Sequence, residues 1–77
     1  MKSHKEFKST LLQLGERIYH RRILKNLSTK EIASQVSLSP EAFRNIEKGV
    51  TDPSFTTLLL IAKILETNCT DLTGNLK

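Results

Sequence analysis

Residues 29–48 read TKEIASQVSLSPEAFRNIEK, two short apolar patterns at helical spacing separated by a serine-rich break. In the first half, Ile32, Ala33 and Val36 fall on one narrow face of a helix, as a 3.6-residue period requires. Ser28 followed three residues later by Glu31 has the form of a capping box, so a helix is expected to begin at Thr29. Ser37 and Ser39 interrupt the pattern around Leu38 and limit that helix to roughly two turns. Ser39 is then a good N-cap and Pro40 a good first helical residue, because the N–H that proline lacks has no partner in a first turn. Phe43 and Ile46 face inward, and Gly49 ends the second helix. The small Ala33 lets the two helices cross closely, with Leu38, Phe43 and Ile46 filling the space beneath them. This is the pattern of a helix-turn-helix unit, whose second helix projects outward at a width that fits a major groove.

Upstream of this unit, Phe7, Leu11, Leu14 and Ile18 recur at steps of four, three and four, which places them on one helical face. Ser3 with Glu6 resembles a second capping box, so a first helix is expected from as early as His4 to about Lys25; the alternative is a basic arm up to Lys8. Asn26 stands where a helix C-terminus turns left-handed. Downstream, Thr51, Asp52 and Pro53 form a turn and Ser54 an N-cap, followed by a fourth helix over residues 55–66. Phe55, Leu58, Ile61, Ala62 and Leu65 share one face of it, and Leu59, Leu60 and Ile64 widen its apolar surface. Such a helix is either central or shared with a partner. Asn68 caps a last turn around Asp71 and Leu72 before Gly74. The expected fold is all-α and compact, a single domain over residues 1–77 with a folded core over about 7–73 and the helix-turn-helix over about 29–48.

Seventy-seven residues place the chain near the size at which one core supplies only about 3 to 5 kcal/mol of net stability. Twelve Lys and Arg against eight Asp and Glu give a net charge of +4 and a pI near 9.5, which favours an anionic partner such as nucleic acid. Residues 1–48 hold ten of the basic side chains against five acidic ones, so the anion-binding half is N-terminal. One cysteine, Cys69, excludes an internal disulfide, and with His4 and His20 it makes no zinc set. No cofactor or metal is expected, and the setting is expected to be the reducing cytoplasm. The apolar run at residues 58–62 is far too short to span a membrane. Nothing pairs a nucleophile with a base, and no Gly-rich phosphate loop is present, so an enzyme is not expected.

The chain resembles the Cro/C1-type (XRE) helix-turn-helix domains of phage repressors and bacterial regulators over about residues 14–72. The resemblance rests on Leu14-Gly15-Glu16-Arg17-Ile18, Asn26-Leu27-Ser28, Lys30-Glu31-Ile32-Ala33, Leu38-Ser39, Ile46-Glu47-Lys48-Gly49, Pro53-Ser54 with Leu58-Leu59, and Ile61-Ala62-Lys63. It implies a five-helix, lambda-repressor-like domain that binds double-stranded operator DNA, often as a dimer, and regulates transcription, typically as a repressor. It also implies an ion pair between Arg22 and Glu47 linking the first helix to the end of the third. The sequence departs from the family at Thr29, where Gln often meets a phosphate, at Ser37, which replaces a turn Gly, and at Pro40 and Glu41, where Gln, Arg or Ser are common.

The recognition helix, residues 40–48, offers Arg44 to guanine and Asn45 to adenine. Glu41 either accepts from a cytosine amino group or serves only the positive end of the helix dipole. Arg21, Lys25, Thr29, Lys30, Ser39 and Lys48 are candidates for phosphate contact, which carries affinity and no sequence information. Leu60, Ile64 and Leu72, on the fourth and fifth helices, are the candidates for a homodimer contact. The competing possibility is a protein-interaction module on the same fold, such as an antitoxin bound to a toxin, which Pro40, Glu41 and the apolar Leu59, Leu60 and Ile64 would suit.

Overall fold

The computed structural model describes residues 4–74, with side chains from residue 8 onward. These residues form five α-helices and no strand: α1 (His4–Leu24), α2 (Thr29–Gln35), α3 (Pro40–Glu47), α4 (Phe55–Ile64) and α5 (Cys69–Thr73). The all-α, five-helix expectation holds. Helix α1 is continuous from His4, so residues 4–8 are helical and not an arm. The capping box expected at Ser3 lies outside the described residues, as does the side chain of Phe7.

The local chemistry of the helix ends repeats along the chain. Ser28, Ser39, Ser54 and Asn68 each hold an extended backbone conformation at the N-cap. Their side-chain oxygens accept from the N–H groups of Glu31 (3.0 Å), Ala42 (3.0 Å), Thr57 (3.1 Å) and Asp71 (2.7 Å), groups that would otherwise have no intrahelical partner. Glu31 completes its capping box by accepting from the Ser28 N–H at 3.2 Å.

The first four helices also end alike, each turning through one residue of positive φ: Asn26 (56°), Ser37 (58°), Gly49 (74°) and Glu66 (54°). The N–H after each returns to a carbonyl five residues back, Leu27 to Arg22, Leu38 to Ala33, Val50 to Asn45 and Thr67 to Ala62. This closes the exposed carbonyls of the last turn. Asn26 and Gly49 tolerate that conformation, whereas Ser37 does so at a cost of about 1 to 2 kcal/mol. Ser37→Gly is therefore expected to stabilise the domain by about 1 kcal/mol, the strain relief less the greater chain entropy that glycine loses on folding. Urea unfolding measures it, and an unchanged or lower midpoint would show that Ser37 is not strained.

Packing follows from these ends. Helix α1 lies against α3 and α5, α2 against α3 and α4, and α4 against α5. Ile18, Ile32, Phe43, Ile61 and Leu72 are the large, fully buried side chains at the centre, with Leu14, Val36, Ile46, Leu58 and Leu65 around them. Burying each such side chain contributes about 1.5 to 3 kcal/mol. At Gly15 the backbones of α1 and α3 approach closely, since a Cβ there would lie 2.2 Å from the Glu47 carbonyl oxygen. Arg17, on α1, donates to the carbonyls of Leu72 (3.2 Å) and Gly74, which ties the end of α5 back to the first helix.

Two sequence expectations, for Leu72 and Phe55, are corrected here. Leu72 is fully buried, so it belongs to the core and has no surface to offer a partner; α5 is one turn long and its single apolar residue docks inward. Ile64 is half-buried and packs against the core with its remaining surface exposed. Phe55 is 71% exposed. It stands at the first position of α4, and the buried stripe begins a turn later at Leu58.

Candidate nucleic-acid interface

Helix α3 is sharply two-sided. Phe43 and Ile46 are buried beneath it, while Glu41, Arg44 and Lys48 are exposed and Asn45 is half-buried on the outer side. Spacings of three and four residues put these four on one face. The buried side of α3 fixes its rotation, so the outer side chains are presented to solvent by packing and not by chance.

Behind that face lies an ion pair. Arg22 donates from Nε to Glu47 Oε2 at 2.7 Å and from Nη2 to Glu47 Oε1 at 3.2 Å, a two-pronged contact between planar groups. Both side chains are nearly buried, at 9% and 8% exposure. The remaining nitrogen, Nη1, donates to the Leu27 carbonyl at 2.9 Å, in the turn before α2. Arg22 thus joins α1, the α1–α2 turn and the end of α3, and its charge is neutralised where it sits. The guanidinium carbon also lies over the Tyr19 ring, 5.3 Å from its centroid.

An open cleft between these elements is lined by Tyr19, Arg22, Thr29, Arg44, Glu47 and Lys48. The fold therefore brings three candidates from the sequence, Thr29, Arg44 and Lys48, to one place, and Glu41 and Asn45 extend the same face of α3. Neither Arg44 nor Lys48 has an acidic partner among the described residues, so two net positive charges stand at this cleft. Ser39 sits at the start of α3 with its oxygen already engaged in capping Ala42.

The other basic candidates lie elsewhere. Arg21 is 4.0 Å from Asp71, and Lys25 Nζ is 2.6 Å from Glu66 Oε2. Both line a separate cleft with Leu24, Leu65 and Glu66. The hydrogen bond from Lys25, reinforced by its charge, holds the Glu66 carboxyl below its ordinary range. Lys30 is exposed on α2 and does not line the cleft with Thr29. Adjacent positions on α1 diverge because about 100° of rotation separates Arg21 from Arg22, and Arg22 is the one turned to α3.

Tyr19 was not singled out from the sequence. The signal was present in its position three residues before Arg22, on the same helical face. Among the described residues no cluster of three His, Cys, Asp or Glu side chains is placed to hold a metal, and no helix is long and apolar enough to cross a membrane.

A family model for helix-turn-helix domains matches residues 18–72. Among solved structures, the restriction-modification controller protein C.AhdI from Aeromonas hydrophila is similar at 25% identity with a TM-score of 0.79, over 84% of this chain and 94% of that one. A transcriptional regulator of the HTH_3 family from Vibrio cholerae is 28% identical with a TM-score of 0.71, over 90% of this chain and 37% of its own. Hydroxypropylphosphonic acid epoxidase from S. wedmorenis is 27% identical with a TM-score of 0.79, over 86% of this chain and 35% of its own. The chain thus spans little more than a third of the last two proteins. No curated protein sequence matches it.

Proposed function

The chain belongs to the helix-turn-helix family of DNA-binding transcriptional regulators, and from that premise we propose that it is a sequence-specific repressor whose α3 enters the major groove of duplex DNA. The observation that carries this reading is the pair of uncompensated cations, Arg44 and Lys48, on the outer face of a helix whose other face is buried. Arg44 and Asn45 read base edges, Glu41 accepts from a cytosine amino group or stays solvated, and Lys48, Thr29 and Ser39 meet phosphates. Arg21, Lys25 and Lys30, further from the cleft, add long-range attraction to the backbone. The work is done without cofactor or metal, in the cytoplasm.

One recognition helix reads only a few base pairs, so a two-fold homodimer on a symmetric operator supplies the rest of the specificity. The exposed Leu59 and Leu60 on α4, with half-buried Ile64 beside them, support contact between two copies there. Sedimentation equilibrium that returned only the monomer mass at concentrations saturating an operator would remove the dimer from this account.

Fluorescence-anisotropy titration with mixed-sequence duplex DNA over a salt series tests the main reading. Binding that weakens steeply with salt is the expected result; no binding even at low salt would favour a protein partner instead. The exposed apolar side chains Leu24 and Phe55, at 82% and 71% exposure, suit that second reading. On a selected operator, Arg44→Ala is expected to cost about 1 to 3 kcal/mol and to relax sequence preference, whereas Lys48→Ala weakens all sequences alike. Equal binding by both variants and the parent protein would place the DNA face elsewhere.

A further inference from the structure

We propose that Tyr19 is a neutral phosphate clamp: its ring is held in place by Arg22, and its hydroxyl donates to the same backbone phosphate that Lys48 and Thr29 meet. The inference rests on the reading that the α3 side of the molecule faces DNA. Tyr19 lies on α1, outside the helix-turn-helix itself, yet it lines one cleft with Thr29 of α2 and with Arg44 and Lys48.

Three observations support the assignment. The ring rests on the Arg22 guanidinium at 5.3 Å, and that guanidinium is immobilised by its bonds to Glu47 and to the Leu27 carbonyl. A tyrosine whose ring packs against an immobilised cation loses little further freedom when it binds, which pre-orients its hydroxyl. Secondly, the side chain is 44% exposed, although an aromatic residue that served only to cover the ion pair would gain by deeper burial. Thirdly, Arg22 has directed its donors to Glu47 and Leu27, so the cleft's remaining donors are Arg44, Lys48, the Thr29 hydroxyl and the Tyr19 hydroxyl. In the proposed binding mode Arg44 is taken up by base edges. A phosphate at the cleft therefore meets one cation, Lys48, and two neutral hydroxyls. The set suits a phosphodiester, which offers a single negative charge and two acceptor oxygens.

The test compares Tyr19→Phe, Lys48→Ala and the parent protein on an operator duplex and on mixed-sequence duplex across a salt series. Tyr19→Phe keeps the ring over Arg22 and is expected to unfold at the same urea concentration as the parent. Its affinity is expected to fall about tenfold on both duplexes, with the slope of log affinity against log salt unchanged, because no charge is lost. Lys48→Ala is expected to lower that slope by about one. If Lys48→Ala behaves so while Tyr19→Phe binds within twofold of the parent, the clamp is wrong and the DNA face stands. If neither substitution alters binding, or the parent protein does not bind DNA, the DNA face itself is wrong and the clamp falls with it. Loss confined to the operator, with mixed-sequence binding intact, would make Tyr19 a base reader and also overturn the proposal.

Discussion

Glu47→Ala is expected to remove about 3 to 5 kcal/mol of folding stability, which is as much as a core of this size supplies in total. The substitution would leave Arg22 only 8% exposed and without its carboxylate, while the guanidinium still donates to Leu27. A charge left in that position has lost its hydration and gained no counter-charge, and the cost of that loss exceeds the modest net worth of the intact pair. The expected outcome is a chain that shows no cooperative urea transition at 25 °C. Replacing both members, Arg22→Met with Glu47→Leu, is expected to recover most of the loss, because apolar groups of similar volume need no compensation. A loss below about 1 kcal/mol for Glu47→Ala would place the pair among solvated surface contacts. It would also undercut the fixed platform beneath Tyr19.

Gly15→Ala carries the second large effect, about 3 kcal/mol of destabilisation. Helix propensity alone argues the other way, since alanine in place of glycine in a helix favours folding by about 1 kcal/mol. Contact distance decides the sign. A Cβ at residue 15 would stand 2.2 Å from the Glu47 carbonyl oxygen and 2.7 Å from that of Ile46. These are backbone atoms in the last turn of α3, so relief requires the two helices to separate. That separation also lengthens the Arg22–Glu47 contact, so Gly15→Ala and Glu47→Ala together should cost less than the sum of the two. Thermal or urea unfolding of the three variants measures this. A Gly15→Ala protein as stable as the parent would mean that α1 and α3 are not in backbone contact.

The unoccupied apolar surface bears on both the dimer and the choice of partner. Leu59 and Leu60 lie on α4, whereas Ile23 and Leu24 form a separate patch with Tyr19 and His20 near the end of α1. Periodicity identified the first as surplus to one core stripe. It was silent on the second, because the apolar stripe of α1 was already accounted for by Leu14 and Ile18.

Legibility of the candidate site varied by residue. Arg44 and Lys48 could be placed on the outer side of α3 because Phe43 and Ile46 fix the inner side, and a helix has only one geometry that satisfies both. Arg21, Lys25 and Arg22 could not be sorted by charge or composition. The difference among them is which elements α1 touches along its length, and that depends on where α3 and α5 dock.

By itself the sequence determined where the helices start and most of their inward faces. Ser28, Ser39, Ser54 and Asn68 satisfy N–H groups within a turn of themselves, and Asn26 and Gly49 reverse the chain locally, so these outcomes need no distant partner. The left-handed turn at Glu66 escaped notice, since glutamate has no preference for that conformation and adopts it only because the flanking helices are held. Tertiary structure alone decided that Leu72 is core, that Phe55 is surface, that Lys25 pairs with Glu66, and that Tyr19 stands beside Lys48. Each depends on residues far apart in the chain being brought together, and a period or a cap constrains only the few residues that a helix turn or a side chain can reach.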